Sequence, residues 1–242
     1  MTGGTLIAAV AARVPDSLRA YRDGVAAGPA GPHARPLSAL RDPAVFDATL
    51  SAFAAGLGAR SEAADRRILV SYWSQFYLAA LATPALTALV RLGRPLPLAF
   101  SATGLELDGA GRPARLVVAG DGDPSARVAP GLAGLVEGHL RPFVELCHAR
   151  SGVAPRVLWG NAAVILGYVA GELGGGDAPA GAEVANCLGW CGGAACARTP
   201  LAQALCPGAG GCRRRRACCL RHRLPGVPSC GALCPLEPVA DA

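Results

Sequence analysis

Ile68-Leu-Val-Ser-Tyr-Trp-Ser-Gln-Phe-Tyr-Leu-Ala-Ala-Leu-Ala-Thr-Pro-Ala-Leu-Thr-Ala-Leu-Val90 is the stretch on which the fold turns. It carries no charge, and as a helix it is long enough to cross a bilayer, which takes about twenty apolar residues. Ser71, Ser74, Gln75, Thr83 and Thr87 interrupt the apolar run, which favours a helix buried in a protein core over one facing lipid. The helix is expected over Ser61–Leu92, with Ser61 as its cap. Pro84 lies inside it, and proline removes an amide donor and crowds the preceding turn, so a break near Pro84 is expected. Tyr72-Trp73-Ser74-Gln75-Phe76-Tyr77 holds much of the aromatic content; rings at this spacing read as core, with the wall of a ligand cleft as the alternative.

Outward from this segment, residues 1–60 read as helices broken by loops. Leu6–Arg13 is a short first element, and Gly28–Pro36 is a loop because its prolines do not fit a helix interior. Asp42-Pro43 reads as an N-cap followed by proline at the first helical position, opening a helix to Leu57. Leu98–Asp108 and Ala114–Ala119, joined by Gly109-Ala-Gly-Arg-Pro113, predict a β-hairpin. Asp121–Ser125 is a turn, since no full set of oxygen ligands follows it. Leu132–Arg150 is a helix kinked at Pro142, and Pro155–Glu172 is another, with the polar Asn161 among apolar neighbours. Cys147 and His148 are adjacent in sequence, and neighbours on a helix diverge, so they are not read as a catalytic pair. Gly174–Gly181 is a flexible connection. No strand precedes its glycines, so neither a flavin nor a nicotinamide site is expected. The predicted class is α+β: a mostly helical main domain (residues 1–199) with a small antiparallel sheet, followed by a loop-rich cysteine segment (residues 200–242).

Composition bounds the function. Just over half of the 242 residues are apolar, so a packed core is feasible. All 23 basic residues are Arg, a pattern of high-GC coding rather than of function. The net charge of +6 is modest. Its Arg residues are scattered apart from Arg213–Arg216, without interleaved aromatics, so no nucleic-acid partner is expected and at most peripheral membrane association. The N-terminus has no basic stretch ahead of its apolar run, so a secretory signal is not expected and the protein is placed in the cytoplasm. There the ten cysteines stay reduced and read as metal ligands or redox groups.

Four of them fall together in Cys218-Cys219-Leu-Arg-His-Arg-Leu-Pro-Gly-Val-Pro-Ser-Cys230-Gly-Ala-Leu-Cys234-Pro235. Zinc favours Cys-x2-4-Cys turns at each end of its site. Here one half is an adjacent pair, whose side chains reach one small ion only through a bend. A vicinal disulfide is strained. An iron–sulfur rhomb is larger, and its four thiolate ligands tolerate divergence better. Spacing therefore leaves iron–sulfur first, zinc second and disulfides third. A second group (Cys187, Cys191, Cys196, Cys206 and Cys212) is open to another metal.

Cys218-Cys219-x10-Cys230, with Arg-His-Arg-Leu-Pro-Gly between and Cys-Gly after, resembles the C-terminal signature of bacterial ferric-siderophore reductases of the FhuF-like family. Arg213–Arg216, the Cys-Pro ending and Leu158-Trp-Gly-Asn-Ala-Ala163 agree with it, and a weaker similarity reaches back to Ser71. One departure is the gap Gly231-Ala232-Leu233, three residues where the family usually has two, which makes Cys234 the least secure ligand. The resemblance implies a [2Fe–2S] cluster on Cys218, Cys219, Cys230 and Cys234. It also implies a ferric siderophore, of hydroxamate type, as substrate for one-electron reduction that releases iron(II). An electron donor such as a ferredoxin or a flavin reductase is expected, and no general base or nucleophile. The competing reading is a zinc-binding structural or nucleic-acid-binding module built on the same cysteines.

Overall fold

The computed structural model describes residues 5–28, 34–58, 64–120, 128–174, 184, 186, 199–207 and 213–236. Helix α3 (Arg66–Leu92) is the axis of the fold, and every other large element packs on it. Asp65, not Ser61, caps it, accepting from Arg67 N at 2.8 Å; Ser61 lies outside the described residues. The helix runs unbroken through Pro84. Packing overrides the lost hydrogen bond: every residue from Ala80 through Leu89 is buried. The Ala80 carbonyl, which Pro84 cannot serve, faces Gly24, where an added Cβ would stand 2.9 Å from its oxygen. The apolar length of α3 would suit a bilayer, yet 72% of its most apolar window is covered by the rest of the protein.

Around α3 stand α1 (Leu6–Ala11), α2 (Pro43–Leu57), α4 (Val128–Leu135), α5 (Arg141–Ser151) and α6 (Pro155–Glu172). Asp42 caps α2 through Ala44 N at 2.8 Å, with Pro43 at the first helical position. Between α4 and α5 the chain makes one wide π-helical turn, Val136–Leu140, in place of a kink at Pro142. The wider turn absorbs the proline, and it carries His139 into the core. His139 Nδ1 donates to Leu98 O, which leaves Nε2 as the acceptor for the Tyr77 hydroxyl. Tyr77 in turn stacks on Phe143 with centroids 4.0 Å apart.

The expected hairpin is present as β3 (Gly104–Leu107) and β4 (Pro113–Val118), antiparallel, with Leu105 opposite Leu116. The first strand is shorter than expected, because Phe100–Ala102 forms a 3-10 turn. Gly111, at φ +72°, closes the hairpin against α2, and Trp73 Nε1 donates to its carbonyl at 3.1 Å. Two further strands extend the sheet: β1 (Val25–Ala27), parallel to β4, and β2 (Arg35–Pro36), antiparallel to β3. The sheet order is β1-β4-β3-β2, so it is mixed rather than purely antiparallel. Both additions fall in the region read as helices and loops. Strands of two or three residues show no alternation, and Pro36 is tolerated because β2 is an edge.

The C-terminal residues pack back onto α6 and α3. The short helix α7 (Pro200–Gln203) leads into a two-stranded antiparallel sheet, β5 (Leu205–Pro207) with β6 (Arg213–Arg215).

Candidate metal centre

Cys218 and Cys219 come after β6, with Arg216 and Ala217 between, and the bend that an adjacent pair requires comes next. Leu220 has φ +64°, the only non-glycine residue with positive φ among the described residues. Its amide turns back to donate to Cys218 Sγ at 3.3 Å. A bulky side chain in the left-handed region costs about 1–2 kcal/mol, so the surrounding packing enforces the bend. Cys230 and Cys234 occupy the two ends of one 3-10 turn, Gly231–Leu233, opened by Gly231 at φ +58° and closed by Cys234 N donating to Gly231 O at 2.7 Å. The extra residue of the last gap is thus taken up inside a turn.

The structure brings Cys219 Sγ to 3.8 Å from Cys230 Sγ. Two thiolates on one tetrahedral metal atom, at bonds of about 2.3 Å, stand about 3.8 Å apart. Cys219 and Cys234 are buried, while Cys218 and Cys230 are half-buried. Burial, then the neighbouring Cys219, push the Cys230 thiol up to about 12. Burial also raises Cys218, against the Leu220 amide; Cys219 and Cys234 add to the rise and Arg215 opposes it. The four sulfurs therefore share one electrostatic environment. No group of three or more His, Cys, Asp or Glu stands ready-made around a single ion among the described residues. The six described cysteines are all free. One pair of thiols, Cys219 and Cys230, stands at shared-metal spacing, and Cys234 acts electrostatically on Cys218 and Cys230 beside it; the chemistry of this all-thiol donor set fits a thiolate-held metal or iron–sulfur group.

Hydrogen bonds anchor this segment to the main helices. Ser71 Oγ on α3 donates to Cys219 O at 2.7 Å. Asn161 on α6 supports Ser71, its Nδ2 donating to Ser71 O at 3.0 Å, Ser71 Oγ at 3.2 Å and Ser74 Oγ at 3.1 Å. Arg214 Nη2 donates to Cys234 O at 2.6 Å. Gly160 lies under the stem of Arg215, 3.9 Å from Cγ to a notional Cβ. Trp159 sits beneath Arg141, at 5.9 Å. In the Trp159-Gly160-Asn161 motif, two residues thus serve the seat of the cysteine segment. In the sequence alone, Ser71 and Ser74 are only polar interruptions of an apolar run. Their three-residue spacing, which places them on one helix face, was the available signal.

The other expectations divide. Trp73 and Tyr77 are core residues. Tyr72 and Phe76 are half-buried, and the Arg221 guanidinium lies 5.8 Å over Tyr72. Cys147 is buried and its thiol is pushed upward by burial, while His148 Nδ1 bonds to Val153 O at 2.9 Å, so the two do not cooperate. Cys206, on β5, donates to Arg214 O at 3.6 Å. Cys187, Cys191, Cys196, Cys212, the Asp121–Ser125 turn and most of Gly174–Gly181 lie outside the described residues. A cavity of about 530 Å³ opens beside the cysteine segment, lined by Gly167, Tyr168, Leu205, Arg213 and Leu233.

Among known proteins, the family model described as a ferric iron reductase FhuF-like transporter matches residues 71–204, more than half of the chain. The matched stretch opens at Ser71, includes Asn161 and ends before Cys218. No curated protein matches the chain.

Proposed function

Since the chain belongs to the FhuF-like ferric iron reductase family, we propose that it is a ferric-siderophore reductase whose Cys218, Cys219, Cys230 and Cys234 hold a [2Fe–2S] cluster. The observation that carries this reading is the 3.8 Å approach of Cys219 Sγ to Cys230 Sγ, in a segment pinned to α3 and α6. Such a cluster supplies a one-electron couple set by charge, hydrogen bonding and solvent exposure.

The chain's own residues then have defined work. Burial of Cys219 and Cys234 excludes water from half of the donor set. Ser71 and Arg214 fix the backbone at those two cysteines by donating to their carbonyls. The 530 Å³ cavity beside Leu233 offers a ferric chelate a place to dock near the thiols, against Tyr168 and Arg213. Iron(III) in a hydroxamate siderophore is a hard ion held by hard oxygens. On gaining one electron it becomes iron(II), which those oxygens hold far less well, so the iron leaves. No proton transfer or covalent step is required of the protein. The Arg-rich segment suits an acidic electron donor, such as a ferredoxin or a flavin reductase, and the reducing cytoplasm keeps the thiols available.

The test is to reduce the anaerobically purified protein, remove the reductant, and add a ferric hydroxamate siderophore with an iron(II)-trapping chromophore. Stoichiometric appearance of trapped iron(II), abolished by Cys230→Ser, is the expected result. Iron(III) left in the siderophore, with the protein still reduced, would refute the substrate.

A further inference from the structure

The four consecutive arginines at 213–216 do not share one role. Strand alternation in β6 turns Arg215 inward, where it is only 3% exposed. Its neighbours have backbone partners: Arg214 donates to Cys234 O at 2.6 Å and Arg216 Nε to Leu205 O at 2.9 Å. Arg215 Nε and Nη1, in contrast, are buried without a hydrogen-bond partner. Guanidinium groups cannot shed their proton, and a buried unpaired cation is among the costliest groups a fold can carry. Among the described residues no carboxylate pairs with it. Among the described residues of the C-terminal segment, 199–207 and 213–236, there is neither Asp nor Glu; Glu183 and Glu237 lie outside them. Its strand, β6, packs on the Gly231–Leu233 turn whose ends are Cys230 and Cys234, so the buried guanidinium stands on the side of the thiols, and its charge acts on Cys218 and Cys230.

We propose that Arg215 is the buried counter-cation of the thiolate-held centre, completed only when that centre carries its negative charge. The inference rests on the cluster reading above and assigns to one residue the tuning of its redox balance. The centre gains negative charge when it takes one electron from a reductant, so a fixed cation in a poorly screened site favours the reduced form. Arg215 is a positioning and tuning residue. In the metal-free chain it is a liability, and in the loaded chain an asset.

Three variants test this: Arg215→Met, Arg215→Lys and, as a control at the next residue, Arg216→Met. Each is prepared metal-free and loaded, and read by thermal unfolding and by dithionite titration followed by absorbance and paramagnetic resonance. Metal-free R215M is expected to unfold no earlier than wild type. Loaded R215M is expected to show at least a tenfold lower ratio of reduced to oxidised centre at a fixed potential, which for one electron is 59 mV. R215K is expected to fall between R215M and wild type, and R216M to match wild type. The inference is overturned if loaded R215M titrates with wild type, or if metal-free R215M unfolds well below it. If R215M does not load, R215K decides: a titration shifted in the same direction supports the inference, and one unchanged from wild type overturns it. If the wild-type chain instead carries zinc without sulfide, the redox reading fails. Zinc competition then decides the Arg215 assignment: at least tenfold weaker retention in metal-loaded R215M supports it, and equal retention overturns it.

Discussion

Ser71 and Cys219, 148 residues apart in sequence, are joined by a 2.7 Å hydrogen bond from the Ser71 hydroxyl to the Cys219 carbonyl. Ser71 is completely buried, and Asn161 holds it from the other side. The bond ties the central helix directly to the backbone of the cysteine pair. Ser71→Ala leaves the buried Cys219 carbonyl without this donor, a loss worth about 1–3 kcal/mol. The expected outcome in chemical denaturation is a lower midpoint with an unchanged slope. Iron should also be lost faster to a chelator, because the segment carrying the ligands is loosened.

The three-residue gap before Cys234 raises the question of the fourth ligand. Cys234 is buried at the end of the Gly231–Leu233 turn with its carbonyl held by Arg214. Cys206, the other described cysteine of this segment, is occupied with Arg214 O on β5. Cys234→Ser should therefore abolish or sharply reduce iron and sulfide content, while Cys206→Ser should leave both at the wild-type level. Elemental and sulfide assays on the two purified variants check this.

His139 gives the fold an acid limit. Burial holds its imidazolium down, to about 4 from an ordinary 6.5, against the Leu98 carbonyl that favours the charged form. The groups facing it are the Tyr77 hydroxyl, the Leu98 carbonyl and the Phe100 ring, none of them anionic. The unfolded chain takes up the proton more readily, so the stability contribution is complete above pH 6.5 and is lost as the pH falls toward 4. At 1.36 kcal/mol per pH unit the full loss is about 3 kcal/mol. Denaturation of the metal-free protein across this range should show the slope, and His139→Gln should flatten it.

Gly111 is required where Gly109 is not. At φ +72°, with a notional Cβ only 2.6 Å from Phe53 N, Gly111 lets the hairpin close on α2. Gly111→Ala is expected to cost about 1–3 kcal/mol in backbone strain alone, and more from the clash. A Cβ on Gly109 meets nothing within 4 Å, so Gly109→Ala should change stability by less than about 0.5 kcal/mol. Thermal unfolding of the pair separates local geometry from a general intolerance of the turn.

The long elements were legible because their signals are local: the uncharged run of α3, Asp42-Pro43 at the start of α2, and the Gly/Pro turn of the hairpin. Pro84 misled because the rule for proline is local, whereas the continuity of α3 is set by burial on all sides and by Gly24 opposite the freed carbonyl. The same holds for β1, whose three residues gain strand character only from pairing with Leu116–Val118. At the candidate metal centre, the cysteine spacing marks the segment in which the structure brings Cys219 Sγ and Cys230 Sγ together. The sequence does not show which of four arginines turns inward, or that Asn161 reaches the cysteines through Ser71, because these depend on strand register and helix facing.

The most direct test of the central claim is the iron and acid-labile sulfide content of the anaerobically purified chain, with a paramagnetic resonance spectrum before and after reduction. The account predicts about two irons and two sulfides per chain, silence when oxidised and a signal on adding one electron. Stoichiometric zinc without sulfide, in a colourless protein with no such signal, would contradict it.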